Sequence, residues 1–311
     1  MDFLLYCKNV LHKIKGGLLV FMNPSQILPL LAINYPRFFP DVLFLKIIYH
    51  HAHGEKLNLR NPQTFNEKLQ WLKLFDRNPE YTKMVDKYEV KDYVASIIGK
   101  QYIIPTLAVY NSVEEIDFDS LPNQFVLKCT HDSGGVIICK DKSTLNQQEA
   151  IEKLRESLNQ NFFFQNREWP YKNVKPRIIA EKYMEDVDGE LKDYKVFTFN
   201  GEPKLIEIDY NRFKGHLRNL YNVNWKRLDV TIQYPTDNNR DFVKPMVLDQ
   251  LLDLSRKLSK GIPHVRTDFY IINDKIYFGE LTFYHGSGLE KMAPKSFDLE
   301  MGNWLKLPSI N

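Results

Sequence analysis

Two acids stand where a strand-forming chain would be expected to carry neutral side chains. In "HVRTDFYIINDKIYFGELTF", residues 264–283, Asp268 and Glu280 interrupt two apolar runs on either side of a turn. Side chains alternate along a strand, so Arg266, Asp268 and Tyr270 share one face of the first run, and Glu280 and Thr282 share one face of the second. The turn decides whether those faces coincide. A loop of three residues, Asn273 to Lys275, pairs Ile272 with Ile276 and sets Asp268 opposite Glu280 and Arg266 opposite Thr282. A loop of two sets Asp268 opposite Gly279 and sends the acids to opposite sides. Facing carboxylates repel, and burial worsens the repulsion, so such a pair needs a raised pKa or a divalent cation between its members. Magnesium, a hard cation that takes carboxylate and phosphate oxygens, fits best. Taken alone, the motif is weak, and solvated strand acids or acids neutralised by Arg266 account for it more readily.

A second segment, "FVLKCTHDSGGVIIC", places Lys128 at the end of an apolar strand and follows it with Ser133, Gly134 and Gly135. A cation beside a loop whose backbone N–H groups can converge suits a phosphate, because glycine lets the main chain approach the anion. The segment is equally an ordinary hairpin turn with a peripheral lysine. Neither GxxxxGK[ST] nor GxGxxG occurs in the chain, which removes the two commonest nucleotide loops. His131 sits in the loop, where it could touch a terminal phosphate or an acceptor, whereas Cys129 faces the other side of its strand and belongs to the core. In "YNRFKGHLRNLY", Arg212, Lys214, His216 and Arg218 make a basic loop that could receive an acidic acceptor, or simply a solvated one. Arg167, Trp169 and Tyr171 offer rings for a sugar, though a packed loop explains them better. The run at His50, His51 and His53 lacks a fourth ligand and reads as an exposed helix end.

The surrounding elements must position these groups. "NPQTFNEKLQWLKLF" carries a capping box, Thr64 with Glu67, ahead of apolar residues at helical spacing, so a helix starts near Phe65. A second helix is expected from just after Pro79 to Gly99. Strands follow at "QFVLKCT", "GVIICK" and "RIIAEKYM", with a polar helix over 146–160 between the last two. "KDYKVFTFNGEPKLIEIDY" is a hairpin around Asn200-Gly201, and "VLDQLLDLSRKLS" is an amphipathic helix. The order is α+β, rich in antiparallel hairpins, without the regular alternation of a doubly wound sheet.

The chain has 311 residues, 43% of them hydrophobic, enough for a large core in two or three lobes. Its 42 basic and 39 acidic residues are interspersed, so no nucleic-acid footprint stands out. Three cysteines, Cys7, Cys129 and Cys139, without CxxC spacing argue against a disulfide framework or a zinc site and suit a reducing cytoplasm. No secretory signal or spanning helix is visible, since lysines and prolines break every apolar run of the first 50 residues. Residues 3–15 have the pattern of an interfacial helix, shared with helices packed on soluble bodies, which leaves contact with the inner face of the membrane open.

Taken in order, "DKYEVK", "FVLKCTHDSGG", "IIAEKYM", "KDYKVF" and "VRTDFYIINDKIYFGELTF" resemble the ATP-grasp enzymes. "NPQTFNEKLQWLKLFDRNPEYTKMVDKY" with "YFGELTFYHGSG" is similar to the TupA-like, teichuronopeptide-associated subfamily, over roughly residues 35–308. The resemblance implies an ATP-grasp fold, two α+β lobes gripping ATP between antiparallel sheets, with an N-terminal helical extension over 1–60. A lobe segment would span 61–115, a lid subdomain with the glycine loop 116–184 and a C-terminal subdomain with the metal site 185–311. It implies that Lys87 and Lys128 hold ATP phosphates under a loop of Ser133, Gly134 and Gly135. Glu181 would meet the adenine amino group, with Lys182 on its ring-nitrogen side, and the backbone of Tyr183 and Met184 would form the hinge. Asp193, with Glu190 as competitor, would hold the ribose. Asp268 and Glu280 would ligate Mg2+, and Arg266 would steady the tetrahedral intermediate, with Lys128 and His131 beside the chemistry. Thr282 stands where the family usually has asparagine, a weaker ligand for a second ion. The implied activity joins a carboxylate to an amine through an acyl phosphate. The expected substrates are an amino acid and an acidic or lipid-linked saccharide of bacterial surface polysaccharide, with no nucleic acid involved. A metal-dependent glycosyltransferase and an inactive nucleotide-binding module are the alternatives.

Overall fold

The computed structural model describes residues 24–186, 191–211 and 215–309. The expected interfacial helix at 3–15, Cys7, Glu190, Arg212 and Lys214 lie outside them. The chain divides into two compact units at Leu57/Asn58. In the first, α1 (Pro24–Asn34) and α2 (Asp41–His53) flank a 3-10 turn, and Gly54 in the left-handed conformation closes α2. No described helix is long and apolar enough to cross a membrane.

The second unit runs through α3 (Phe65–Phe75), α4 (Glu80–Val85), α5 (Glu89–Ile98), β1 (Thr106–Tyr110), β2 (Phe125–Cys129), β3 (Val136–Cys139), α6 (Gln147–Leu158), α7 (Phe163–Asn166) and β4 (Ile178–Lys182). It continues with β5 (Asp193–Phe199), β6 (Glu202–Tyr210), β7 (Leu217–Asn222), β8 (Thr231–Ile232), α8 (Leu248–Ser259), β9 (His264–Ile272), β10 (Lys275–Thr282), β11 (Met292–Ala293) and α9 (Ser296–Trp304). The strands form a four-stranded sheet, β1-β4-β2-β3, and a five-stranded sheet, β10-β9-β5-β6-β7, with every pair antiparallel. Each sheet has its own core. Leu154 of α6 packs with Phe125, Leu127, Ile178 and Ala180 on the smaller sheet, and Leu251 and Leu258 of α8 join Val196, Ile206 and Phe269 on the larger.

Local sequence rules place many of these elements. The capping box at α3 forms as expected, with Thr64 Oγ1 accepting from Glu67 N at 3.2 Å and the Glu67 carboxylate accepting from Thr64 N at 3.2 Å. Asn200 and Gly201, at φ 50° and 87°, make the two-residue turn between β5 and β6. The helix expected from Pro79 to Gly99 is instead two. Asp86 breaks it by accepting from the backbone N of Tyr88 and Glu89, which starts a new helix, while Lys87 N donates to the Thr130 carbonyl at 3.1 Å. Of the expected basic loop, Arg218 lies instead on β7 (Leu217–Asn222), the edge of the larger sheet, and His216 just precedes it.

His264 begins β9, buried among Phe65, Phe197 and Phe199, with Nδ1 2.9 Å from the Thr198 carbonyl. Burial holds its pKa down to about 3. The folded state therefore binds fewer protons than the unfolded one between pH 6.5 and 3, and stability falls as the pH is lowered through that window. His264→Phe is expected to cost about 1 kcal/mol at pH 7 through the lost hydrogen bond. Its urea midpoint should then fall less steeply than the parent's between pH 6.5 and 4, the upper part of that window. Parallel slopes for the two proteins would contradict this.

Candidate active site

The turn between β9 and β10 has two residues, Asn273 and Asp274, both left-handed at φ 50° and 57°, and Lys275 pairs with Ile272. Alone, that turn would set Asp268 opposite Gly279. A bulge between Phe278 and Glu280 absorbs Gly279, so Glu280 pairs with Asp268 and Thr282 with Arg266. The expected facing pairs are present, but the extra residue sits in the strand rather than in the turn. Glycine suits the bulge, since a Cβ at 279 would lie 3.1 Å from the Asp268 carbonyl oxygen.

Arg266 forks onto Asp268, with Nε 2.7 Å from Oδ1 and Nη2 2.6 Å from Oδ2, and Nη2 also reaches Glu280 at 3.3 Å and Thr282 Oγ1 at 3.1 Å. One guanidinium cannot satisfy both acids. Burial pushes Asp268 up to about 7, Arg266 pulling against it and Glu280 adding to it. Partial removal from water acts against Glu280 as well, yet Arg266, Lys87 and Lys195 outweigh it and hold that carboxyl at about 2. The Glu280 side chain is 43% exposed, against 6% for Asp268. The pair thus holds oxygen donors whose full charge calls for another cation, and it fits a magnesium ion that arrives with phosphate oxygens. Thr282 Oγ1 donates to Glu280 at 3.2 Å as it accepts from Arg266, so its hydroxyl is already engaged.

A cavity of about 710 Å³ is lined by residues of both sheets. Lys87, Lys128, Ser133, Glu181, Lys182, Tyr183, Met184 and Asp193 line it together with Asp268 and Glu280. Lys87 is held out of the helical register by the break at Asp86, and its Nζ donates to the Asp132 carbonyl. Glu181 lies between two lysines, with Oε2 2.6 Å from Lys128 and Oε1 2.5 Å from Lys91. Lys128 and Lys91 outweigh the burial of Glu181 and hold its pKa below the ordinary value. Lys91 was not singled out from sequence, although "DKYEVK" contains it at helical spacing from Lys87.

Other expected residues are placed elsewhere. His131 is 2% exposed, does not line the cavity and sets Nε2 3.1 Å from the Ser157 carbonyl. Gly134 borders open space, whereas Gly135 is glycine for packing, since a Cβ there would collide with Ser157 Oγ and the Cys129 side chain. Arg218 is placed in an ionic cluster rather than on a solvated loop. It is 3% exposed and bound to Asp209 at 2.7 Å, Glu207 at 3.1 Å and Glu290 at 3.0 Å. His216 lies 3.1 Å from Asp209 and stacks on Tyr234 with centroids 3.7 Å apart. Arg167 packs against Phe163 and Phe164, 2% exposed.

Lys195, absent from the expected set, pairs with Asp268 in the sheet register and bonds to Glu207 at 3.3 Å and to Asp209. Its signal was present, because it sits two residues from Asp193 on the same strand face.

Lysines carried by the smaller sheet and acids carried by the larger one meet across a single cavity, and the fold is the ATP-grasp fold. The profile of the TupA-like ATP-grasp family matches residues 67–306, and the chain belongs to that family. Curated proteins give no match. Among solved structures, D-alanine–D-alanine ligase from Bacillus anthracis with ATP is 15% identical with a TM-score of 0.37, over 65% of this chain and 54% of that one. The Helicobacter pylori D-alanine–D-alanine ligase is 16% identical with a TM-score of 0.38, over 72% of this chain and 61% of that one. The ATP-grasp ligase PsnB with minimal precursor, Mg and ADP is 10% identical with a TM-score of 0.36, over 70% and 57%. The chain thus spans less than two thirds of these ligases.

Proposed function

We propose that this protein is an ATP-dependent, ADP-forming carboxylate–amine ligase. The observation that carries the reading is the bulge at Gly279, which brings Asp268 and Glu280 to the cavity that Lys87 and Lys128 also line. Lysines beside the nucleotide tail neutralise charge that would otherwise repel an incoming carboxylate. Asp268 and Glu280 would hold Mg2+, which supplies further neutralisation of the phosphates when bound. The substrate carboxylate oxygen takes the terminal phosphoryl group and ADP departs. The amine nitrogen then adds to the acyl carbon, phosphate leaves with its bond to that carbon, and the nitrogen gives up a proton. Arg266, fixed by Asp268, donates to the oxygen that becomes negative during the addition. Asp193 at the start of β5 and the backbone at Tyr183 and Met184 would position the nucleoside.

For the substrates we propose an amino acid as amine and a uronic acid or other acidic saccharide as acceptor, free or lipid-linked, in the synthesis of surface polysaccharide. The family resemblance and the mixed, slightly basic charge support this. We place the reaction in the reducing cytoplasm, where the free, buried Cys129 and Cys139 would stay reduced. The test incubates the protein with ATP, magnesium and a panel of amino acids and uronic acids, and follows ADP release and product mass. Release that depends on both substrates, with a product lighter by one water than their sum, is expected. Consumption of a nucleotide sugar without ADP formation would overturn the reading in favour of a glycosyltransferase.

A further inference from the structure

Arg266 is held by more than the two acids beside it. Its Nη1 lies 2.6 Å from Nδ1 of His285, and the His285 ring is 2% exposed, edge-on to Phe197 with centroids 4.7 Å apart. On the other side of the ring, Nε2 sits 2.8 Å from Glu290 Oε2 and 3.7 Å from Glu207 Oε2. Glu290 is fixed in turn by Arg218 at 3.0 Å. A guanidinium carries only donors, so the nitrogen facing it has to offer a lone pair. That leaves the proton on Nε2, on the side of the ring where the carboxylates of Glu290 and Glu207 lie.

The backbone that delivers His285 is unusual. Gly286, Ser287 and Gly288 are all left-handed, at φ 51°, 56° and 62°. The two glycines adopt this backbone without strain, whereas Ser287 between them persists in it only where the surroundings enforce it. Two buried side chains of α3 do so, with Gln70 Nε2 2.9 Å from the carbonyls of Ser287 and Gly288, and Lys73 Nζ 2.8 Å from the Ser287 carbonyl. Ser287 Oγ is bonded to Glu168, and a Cβ at 288 would lie 2.5 Å from Gln70 Nε2.

We infer that His285 is a positioning residue for Arg266, with the donor-only guanidinium at Nδ1 setting its tautomer, the carboxylate of Glu290 2.8 Å from Nε2 favouring it, and the clamped 286–288 turn setting its place. Of the five N–H bonds of Arg266, those on Nε and Nη2 go to Asp268, Glu280 and Thr282, and one on Nη1 goes to His285. The second Nη1 proton makes no hydrogen bond to a described residue and would be the one offered to a developing oxyanion, and the bond to His285 would fix the rotation of the group that aims it. The inference rests on the ligase reading for the reaction it serves, and on the geometry alone for the tautomer.

Two measurements test it. In protein labelled with 15N-histidine, His285 is expected to show a bare Nδ1 and a protonated Nε2, with or without substrate. A ring protonated on Nδ1 would overturn the inference, whatever the activity. In the ADP-release assay, His285→Phe keeps the ring volume without an acceptor. It should lower kcat by about 10- to 100-fold, with the KM for ATP within about twofold. His285→Asn returns an acceptor near the Nδ1 position and should recover most of the loss, although it fills the site less well than phenylalanine does. Wild-type kcat in His285→Phe, or equal loss in both variants, would refute a positioning role. A parent protein that forms no ADP with any substrate would count against the ligase reading, and the nitrogen spectrum would still decide on His285.

Discussion

Glu280→Gln is expected to fold as the parent does and to form ADP about 10²- to 10³-fold more slowly, the loss typical of removing one preorganised charge-stabilising group. The amide is isosteric with the carboxylate, and its oxygen can still accept from Arg266 Nη2 and Thr282 Oγ1, which lie 3.3 and 3.2 Å from Glu280 Oε1. The packing at the bulge is therefore kept. What disappears is one of the two negative charges that face each other across β9 and β10. Without it, Arg266 alone balances Asp268, and the demand for a further cation is removed. Thermal unfolding should change little, and the rate of ADP release at saturating ATP and magnesium reads the effect. Parental turnover in this variant would show that Glu280 has no part in the reaction.

Arg218→Met should have a different signature. Arg218 is surrounded by Glu207, Asp209 and Glu290, all within 3.1 Å. Methionine retains much of the stem but leaves the acids with Lys195, His285 and His216 as basic groups bonded to them or beside them. Removing one partner of a buried ionic cluster typically costs about 3–5 kcal/mol. In a protein of this size that lowers Tm by about 10 °C. A residue of a basic acceptor loop would behave otherwise, raising the KM for the acceptor while Tm stayed put. Calorimetry together with the acceptor KM separates the two. Unchanged stability with a large KM effect would return Arg218 to the substrate.

Local rules written in adjacent residues determined much of this fold. Thr64 and Glu67 cap a helix because both partners lie within one turn of each other, and Asn200-Gly201 turns a hairpin because left-handed backbone is cheap there. Alternation alone put Arg266 and Asp268 on one face, and likewise Glu280 and Thr282. Whether those faces met was decided only in three dimensions. Asn273, Asp274 and Lys275 fit a turn of two residues or three, and the bulge that corrects the parity depends on how closely Gly279 approaches the backbone of Asp268 across the sheet. The same limit applied to side chains that read as exposed. His131 and Arg218 looked available because polar or basic residues stand near them in sequence, but Ser157 and Glu290 come to them from distant segments, and Glu207 and Asp209 from the paired strand β6. Burial and ion pairing are long-range properties, so a single chain read in order shows which groups carry charge but not which charges meet.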